Sequence, residues 1–139
     1  MIPAAKVISC TEDDSIQKVV SDMTSHKISC IVVVDKTNDK KALGIVTKTD
    51  LVMAYEKQVA LTDSVAKIMT QGCKTVVDTM QRDDVAKVIE ENHFHHVVVV
   101  DEKTGDYVGL VSAWDVATEC AKDARAWPYT RTADGRIHA

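Results

Sequence analysis

The sequence predicts an α/β (α+β) chain of two β-α-β-β-α repeats, and three observations carry that expectation. "GIVTKTD" (44–50) and "GLVSAWD" (109–115) share one grammar: glycine, two branched aliphatics, a hydroxyl residue, two variable positions and an aspartate. "CIVVVD" (30–35) and "HVVVVD" (96–101) are short β-branched runs of the kind that form strands covered on both faces. Upstream of each run, "KVISCTEDDSIQKVV" (6–20) aligns with "TVVDTMQRDDVAKVI" (75–89), with Val7 opposite Val76 and Ile16 opposite Val85. A chain that repeats itself at this length is read as duplicated units before any local propensity is weighed. On this register the first copy holds three extra residues, nearly one helical turn, ahead of its apolar run.

Each copy reads as short strand, helix, apolar strand, turn, apolar strand, helix. Ile16, Val19, Val20 and Met23, and likewise Val85, Val88 and Ile89, recur at the spacing of one amphipathic helix face. "DKTNDKKALG" and "DEKTGDYVG" carry the Asp, Asn and Gly that turns require. "TDSVAKIMTQG" (62–72) between the copies predicts a short capped helix closed by Gly72. The division expected is repeat 1 over 1–62, repeat 2 over 63–122, and an irregular tail over 123–139. Pro128 and Gly135 break that tail, and Trp127 and Tyr129 are its candidate anchors on the body or on a partner.

Composition excludes several classes. A chain of 139 residues buries roughly two-thirds of its unfolded surface, so no disulfide staple is needed. Cys10, Cys30, Cys73 and Cys120 form no C-x-x-C pair, and reduced thiols in a cytoplasmic protein are expected. No export leader and no membrane span is expected, because no apolar run approaches the roughly 20 residues a span requires. A formal charge of −4 spread over both halves argues against a nucleic-acid surface. Methionines at helical spacing in "SDMTSH" and "LVMAYEKQVAL" read as core or interface.

Two such units in tandem, each ending in G-h-h-[ST]-x-x-D, resemble a cystathionine-beta-synthase (CBS) domain pair, or Bateman module. "KIMT" ahead of the second copy is similar to that family too, and the resemblance spans about residues 4–122. This sequence departs from the family in two places. The first copy lacks the short helix and "MT", and Val32 and Val98 stand where the family often has proline. The resemblance implies two repeats packed sheet to sheet about a pseudo-twofold axis, and a regulatory sensor of an adenosine nucleotide (AMP, ADP or ATP) with no other cofactor. It also implies a homodimer, expected through the 48–60 and 113–122 helices because Leu51, Val52 and Val116 exceed what one small body covers. The partner expected beyond that is a regulated enzyme or transporter. The alternative is a ligand-free dimerisation scaffold that acts on its partner by contact.

The repeated motif itself admits two chemistries. Thr47 or Ser112 with Asp50 or Asp115 makes a capping box at a helix start. The same geometry offers free amides and a hydroxyl to a phosphate, with a carboxylate one turn on for a ribose. By the resemblance, one cleft combines Ile45, Thr47 and Asp50 with Val76, Val77, Phe94, His95 and His96. The other combines Ser112 and Asp115 with Ile8, Ile28, Ser29 and Cys30. The first, with two histidines and nearby Lys48, is the expected nucleotide site; the second offers only neutral polar groups. "HFHH" (93–96) alternates His93 and His95 against His96, which disfavours three converging metal ligands and leaves phosphate contact or a solvated loop. Trp114 suits a stacked base or simple packing. Neither a nucleophile elbow, nor a P-loop, nor a metal motif is present, so an enzyme is not expected.

Overall fold

The computed structural model describes residues 2–71, 74–92 and 94–122. Its elements are β1 (Ile2–Pro3), β2 (Ser9–Thr11), α1 (Ile16–His26), β3 (Cys30–Asp35), β4 (Asn38–Thr47) and α2 (Lys48–Glu56), followed by β5 (Thr70–Gln71), β6 (Thr75–Val77), α3 (Arg82–Asn92), β7 (His96–Val100), β8 (Tyr107–Ser112) and α4 (Ala113–Lys122). Two short 3-10 turns, Ala4–Lys6 and Val65–Lys67, follow β1 and precede β5. The strands form two four-stranded sheets, β2-β3-β4-β5 and β1-β8-β7-β6. This is the expected α+β architecture.

The two runs of valine and isoleucine fill the centre because their side chains alternate across the sheet. Ile31 and Val33 join Val19, Met23 and Val46 in an outer core beneath α1, with Leu51 of α2 packed against it. Val32 and Val34 point the other way and meet Val98, Tyr107 and Leu110 between the sheets. Val97 and Val99 face Val85 and Val111, against which Val88 and Ile89 of α3 and Val116 of α4 also pack. Helices therefore cover the outer face of each sheet, and the inner faces pack on each other.

The sheets hold a correction to the repeat register. β2 pairs with β3 through Ser9↔Val32, and β6 pairs with β7 through Thr75↔Val98. Cys10 is thus the counterpart of Val76, and both are buried. α1 and α3 are each 11 residues long and begin at equal distances before the apolar runs, which sets Val19 opposite Val85. No extra turn exists in the first copy. A slip of three residues nearly preserves a helical face, so the apolar pattern tolerated the wrong alignment.

Strands cross between the repeats. β1 pairs antiparallel with β8 of the second copy, through Ile2↔Leu110 and Pro3↔Gly109. β5 pairs antiparallel with β4 of the first copy, through Gly44↔Gln71 and Ile45↔Thr70. The glycine that opens the first motif is explained by this crossing. A Cβ on Gly44 would run into the Thr70 carbonyl oxygen and come within 3.3 Å of the Met69 sulfur. The segment ahead of β5 is a three-residue 3-10 turn capped by Ser64, shorter than the helix expected, and Gly72 lies outside the described residues. Val65 in that turn is fully buried against the first repeat's outer core.

Candidate functional site

α2 and α4 each start where a motif strand ends, and both N-termini open on one cavity of about 640 Å³. Thr47, Lys48 and Thr49 line it from α2; Ser112, Ala113 and Trp114 line it from α4. Phe94, His95 and His96 close another side, with Ile45, Ser29, Thr70 and Lys74. Two helix N-termini and the Lys48, Lys74 and His95 side chains make this an anion-attracting space. Phe94 and Trp114, 37% and 78% exposed, supply flat apolar surface at its edge. The volume lies in the range of small-molecule sites.

Of the residues expected in this cleft, Ile45, Thr47, Phe94, His95 and His96 line it. Val76 is buried in the outer core of the second sheet, and neither it nor Val77 lines a cleft. Lys74 holds the place that the shifted register had given to valine. Asp50 stands one layer back. Its Oδ2 accepts the Thr47 N–H (2.9 Å) and the Thr47 hydroxyl (3.2 Å), and its Oδ1 accepts the Thr70 hydroxyl at 3.4 Å. The carboxylate thus orients two hydroxyl residues of the cavity wall, while itself facing a small pocket with Lys57 and Lys67.

A second cavity of about 260 Å³ gathers Ile8, Ile28, Ser29, Cys30, Ser112 and Asp115, the whole second set. Contrary to expectation it is not neutral, because Lys6, Lys27 and His96 also line it. Lys27 had no apolar pattern to mark it; it ends α1 in the left-handed conformation, φ 52°. Here the motif forms a reciprocal cap: Ser112 N–H donates to Asp115 Oδ2, and Asp115 N–H donates to Ser112 Oγ, both at 3.0 Å. In the first copy Thr47 and Asp50 form the matching capping box, and the Thr47 hydroxyl also lies within hydrogen-bond distance of Asp50 Oδ2.

His95 is exposed, whereas His96 is half-buried with Nδ1 shut away from solvent and without a hydrogen-bond partner. Burial, and then the neighbouring His95, hold the His96 imidazole below its ordinary 6.5, while Asp115 pulls it upward. His93 lies outside the described residues, among which no group of three or more His, Cys, Asp or Glu is arranged to hold a metal ion.

A pH response of the ligand-free protein follows. Between 6.5 and the lower folded value the unfolded chain binds more protons at His96 than the folded one. That stability is fully present above 6.5 and is lost as the pH falls through this window. Denaturant unfolding at pH values from about 7.5 to 5.5 should show the wild type losing more stability than His96→Gln. Equal losses would mean that the burial of His96 carries no such penalty.

Fold and site together define a class: a duplicated module whose sheets pack face to face and whose motif helices open on clefts between the copies. The chain belongs to the CBS domain family, whose model matches twice, over residues 1–57 and 65–122. It is similar to "CBS domain-containing protein CBSX3, mitochondrial" of Arabidopsis thaliana, 26% identical over 84% of this chain and 57% of that protein. The chain therefore spans little more than half of that relative. Its fold is similar to the CBS domain protein PAE2072 of Pyrobaculum aerophilum complexed with AMP (TM-score 0.74, 24% identity, 84% of this chain and 92% of that one). It is also similar to the CBS domain of a bacterial CNNM/CorC family Mg2+ transporter in complex with ATP (TM-score 0.75, 23% identity, 86% and 82%).

Proposed function

We propose that this chain is a regulatory module that binds an adenosine nucleotide, AMP, ADP or ATP, in the large cleft. The observation that carries the reading is the meeting of two helix N-termini, Lys48, Lys74 and His95 with apolar and aromatic walls in one cavity of nucleotide size. The phosphates belong beside Thr47, Lys48, Lys74 and the histidines, and the base against Ile45, Phe94 and Trp114. The AMP and ATP complexes of the similar folds support the same ligand class. The module acts by binding rather than by catalysis, on a regulated enzyme or transporter in the cytoplasm. No helix of the described residues is long and apolar enough to cross a membrane.

Calorimetric titration with adenosine, AMP and ATP tests this. Affinity should rise with the number of phosphates, and Lys74→Gln should weaken ATP more than adenosine. Equal affinity for all three, or no binding by any, would reject the reading.

Assembly as a homodimer is part of the proposal. Leu51 and Val116 pack against their own cores. On α2 the exposed apolar side chains are Val52, Met53 and Tyr55, at 66%, 45% and 86% exposure. That surface also favours the second reading, a ligand-free scaffold. Sedimentation at micromolar concentration should give a dimer that Val52→Glu dissociates; a wild-type monomer would count against it.

A further inference from the structure

Three residues line both cavities: Ser29, His96 and Ser112. His96 pairs with Ser112 across β7 and β8, beside the cap that starts α4. Of the three, only His96 carries a titratable ring, and its Nδ1 is buried without a hydrogen-bond partner. Charged groups reach this wall from both sides. His95 stands next to it on its own segment, and Asp115 approaches from α4. Lys48 and Lys74 line the large cleft; Lys6 and Lys27 line the small one.

We infer that His96 couples the two clefts through one proton. An anionic group entering the large cleft draws a proton from solvent onto this imidazole, and the new charge is felt in the small cleft through Asp115. The inference rests on the large cleft being the nucleotide site. Its consequence is that the small cleft responds to the charge of the ligand in the large one. AMP changes it, while adenosine, which brings the same base and ribose, leaves it alone.

The linkage is physical and has a sign. Above its folded pKa the imidazole is neutral, so a nearby phosphate stabilises only the protonated form and moves the midpoint upward. Protonated His96 then attracts the Asp115 carboxylate, whose other partner is the Ser112 amide. The α4 cap is thereby the element that carries the change.

NMR titration of the full chain tests this from about pH 8 to 5. In the ligand-free protein, amides on the large-cleft side (Thr47, Trp114) and on the small-cleft side (Ile28, Asp115) should share one midpoint below that of free imidazole. His96→Gln should abolish the shared step on both sides, and His95→Gln should keep it. AMP should raise the midpoint, whereas adenosine should not. The His96 ring signals of the wild-type protein give the same midpoint directly if the variant does not fold. Independent midpoints on the two sides, a small-cleft step that survives His96→Gln, or bound AMP with an unmoved midpoint would each overturn the inference. If AMP fails to bind, the nucleotide reading falls. The ligand-free titration alone then decides whether one imidazole serves both clefts.

Discussion

Gly44→Val should destabilise the protein by about 1 to 3 kcal/mol, the range for forcing bulk into a packed site. The collision is with backbone, since the Thr70 carbonyl lies where the new Cβ must go. No rotamer change relieves that, so β5 has to move away from β4 and give up the pairing of Gly44 with Gln71 and of Ile45 with Thr70. Thr70 and Lys74 line the large cleft, so ligand affinity should fall with stability. Urea unfolding and AMP titration of the same sample check both halves. Wild-type affinity at reduced stability would mean that β5 returns to its place and that the cleft tolerates the strain. A variant as stable as the wild type would refute the close approach itself.

Asp50→Ala should weaken AMP binding by roughly ten- to a hundredfold, the loss expected when charge-assisted hydrogen bonds that fix a site are removed. Its carboxylate takes donors from Thr47 twice and from Thr70 once, and both residues face the large cleft. Removing it frees both hydroxyls to rotate. Asp115→Ala breaks the matching cap of α4 and should cost about 1 kcal/mol of stability. Asp115 lines the smaller cavity and not the large one, so AMP affinity should change much less. Asp50→Asn, which keeps an acceptor in place, should recover part of the loss. Calorimetry that finds the larger effect on AMP at Asp115 would move the nucleotide to the other cleft.

Much of the fold was legible because β-branched runs and a duplicated motif leave few alternatives. Ile31 to Val34 and Val97 to Val99 are buried as such runs must be, and Thr47 and Ser112 begin helices as their spacing from aspartate implies. The site was read less completely, for one identifiable reason. Helical periodicity tolerates a slip of three, whereas strand alternation does not. Matching Ile16 to Val85 shifted the preceding strand as well and put Val76 and Val77 where Lys74 belongs. Pairing the repeats from the apolar runs backward would have found the lysine. The crossing strands were beyond reach by pattern, because Ile2–Pro3 and Thr70–Gln71 are too short to show a period. Their only trace is the glycine that each one crosses.

The crossing also sets the order in which the chain can finish folding. Ile2 finds its partner at Leu110, almost the full described length away, whereas β2, α1, β3 and β4 assemble from near neighbours. During synthesis from the ribosome β1 stays without its strand partner until β8 has emerged. β4, by contrast, receives its edge strand soon after it forms. The second sheet is thus closed by a strand that lies ahead of the whole first repeat. Neither repeat reaches its final edge without a segment from outside its own strand-helix-strand-strand run, and the first sheet can close well before the second.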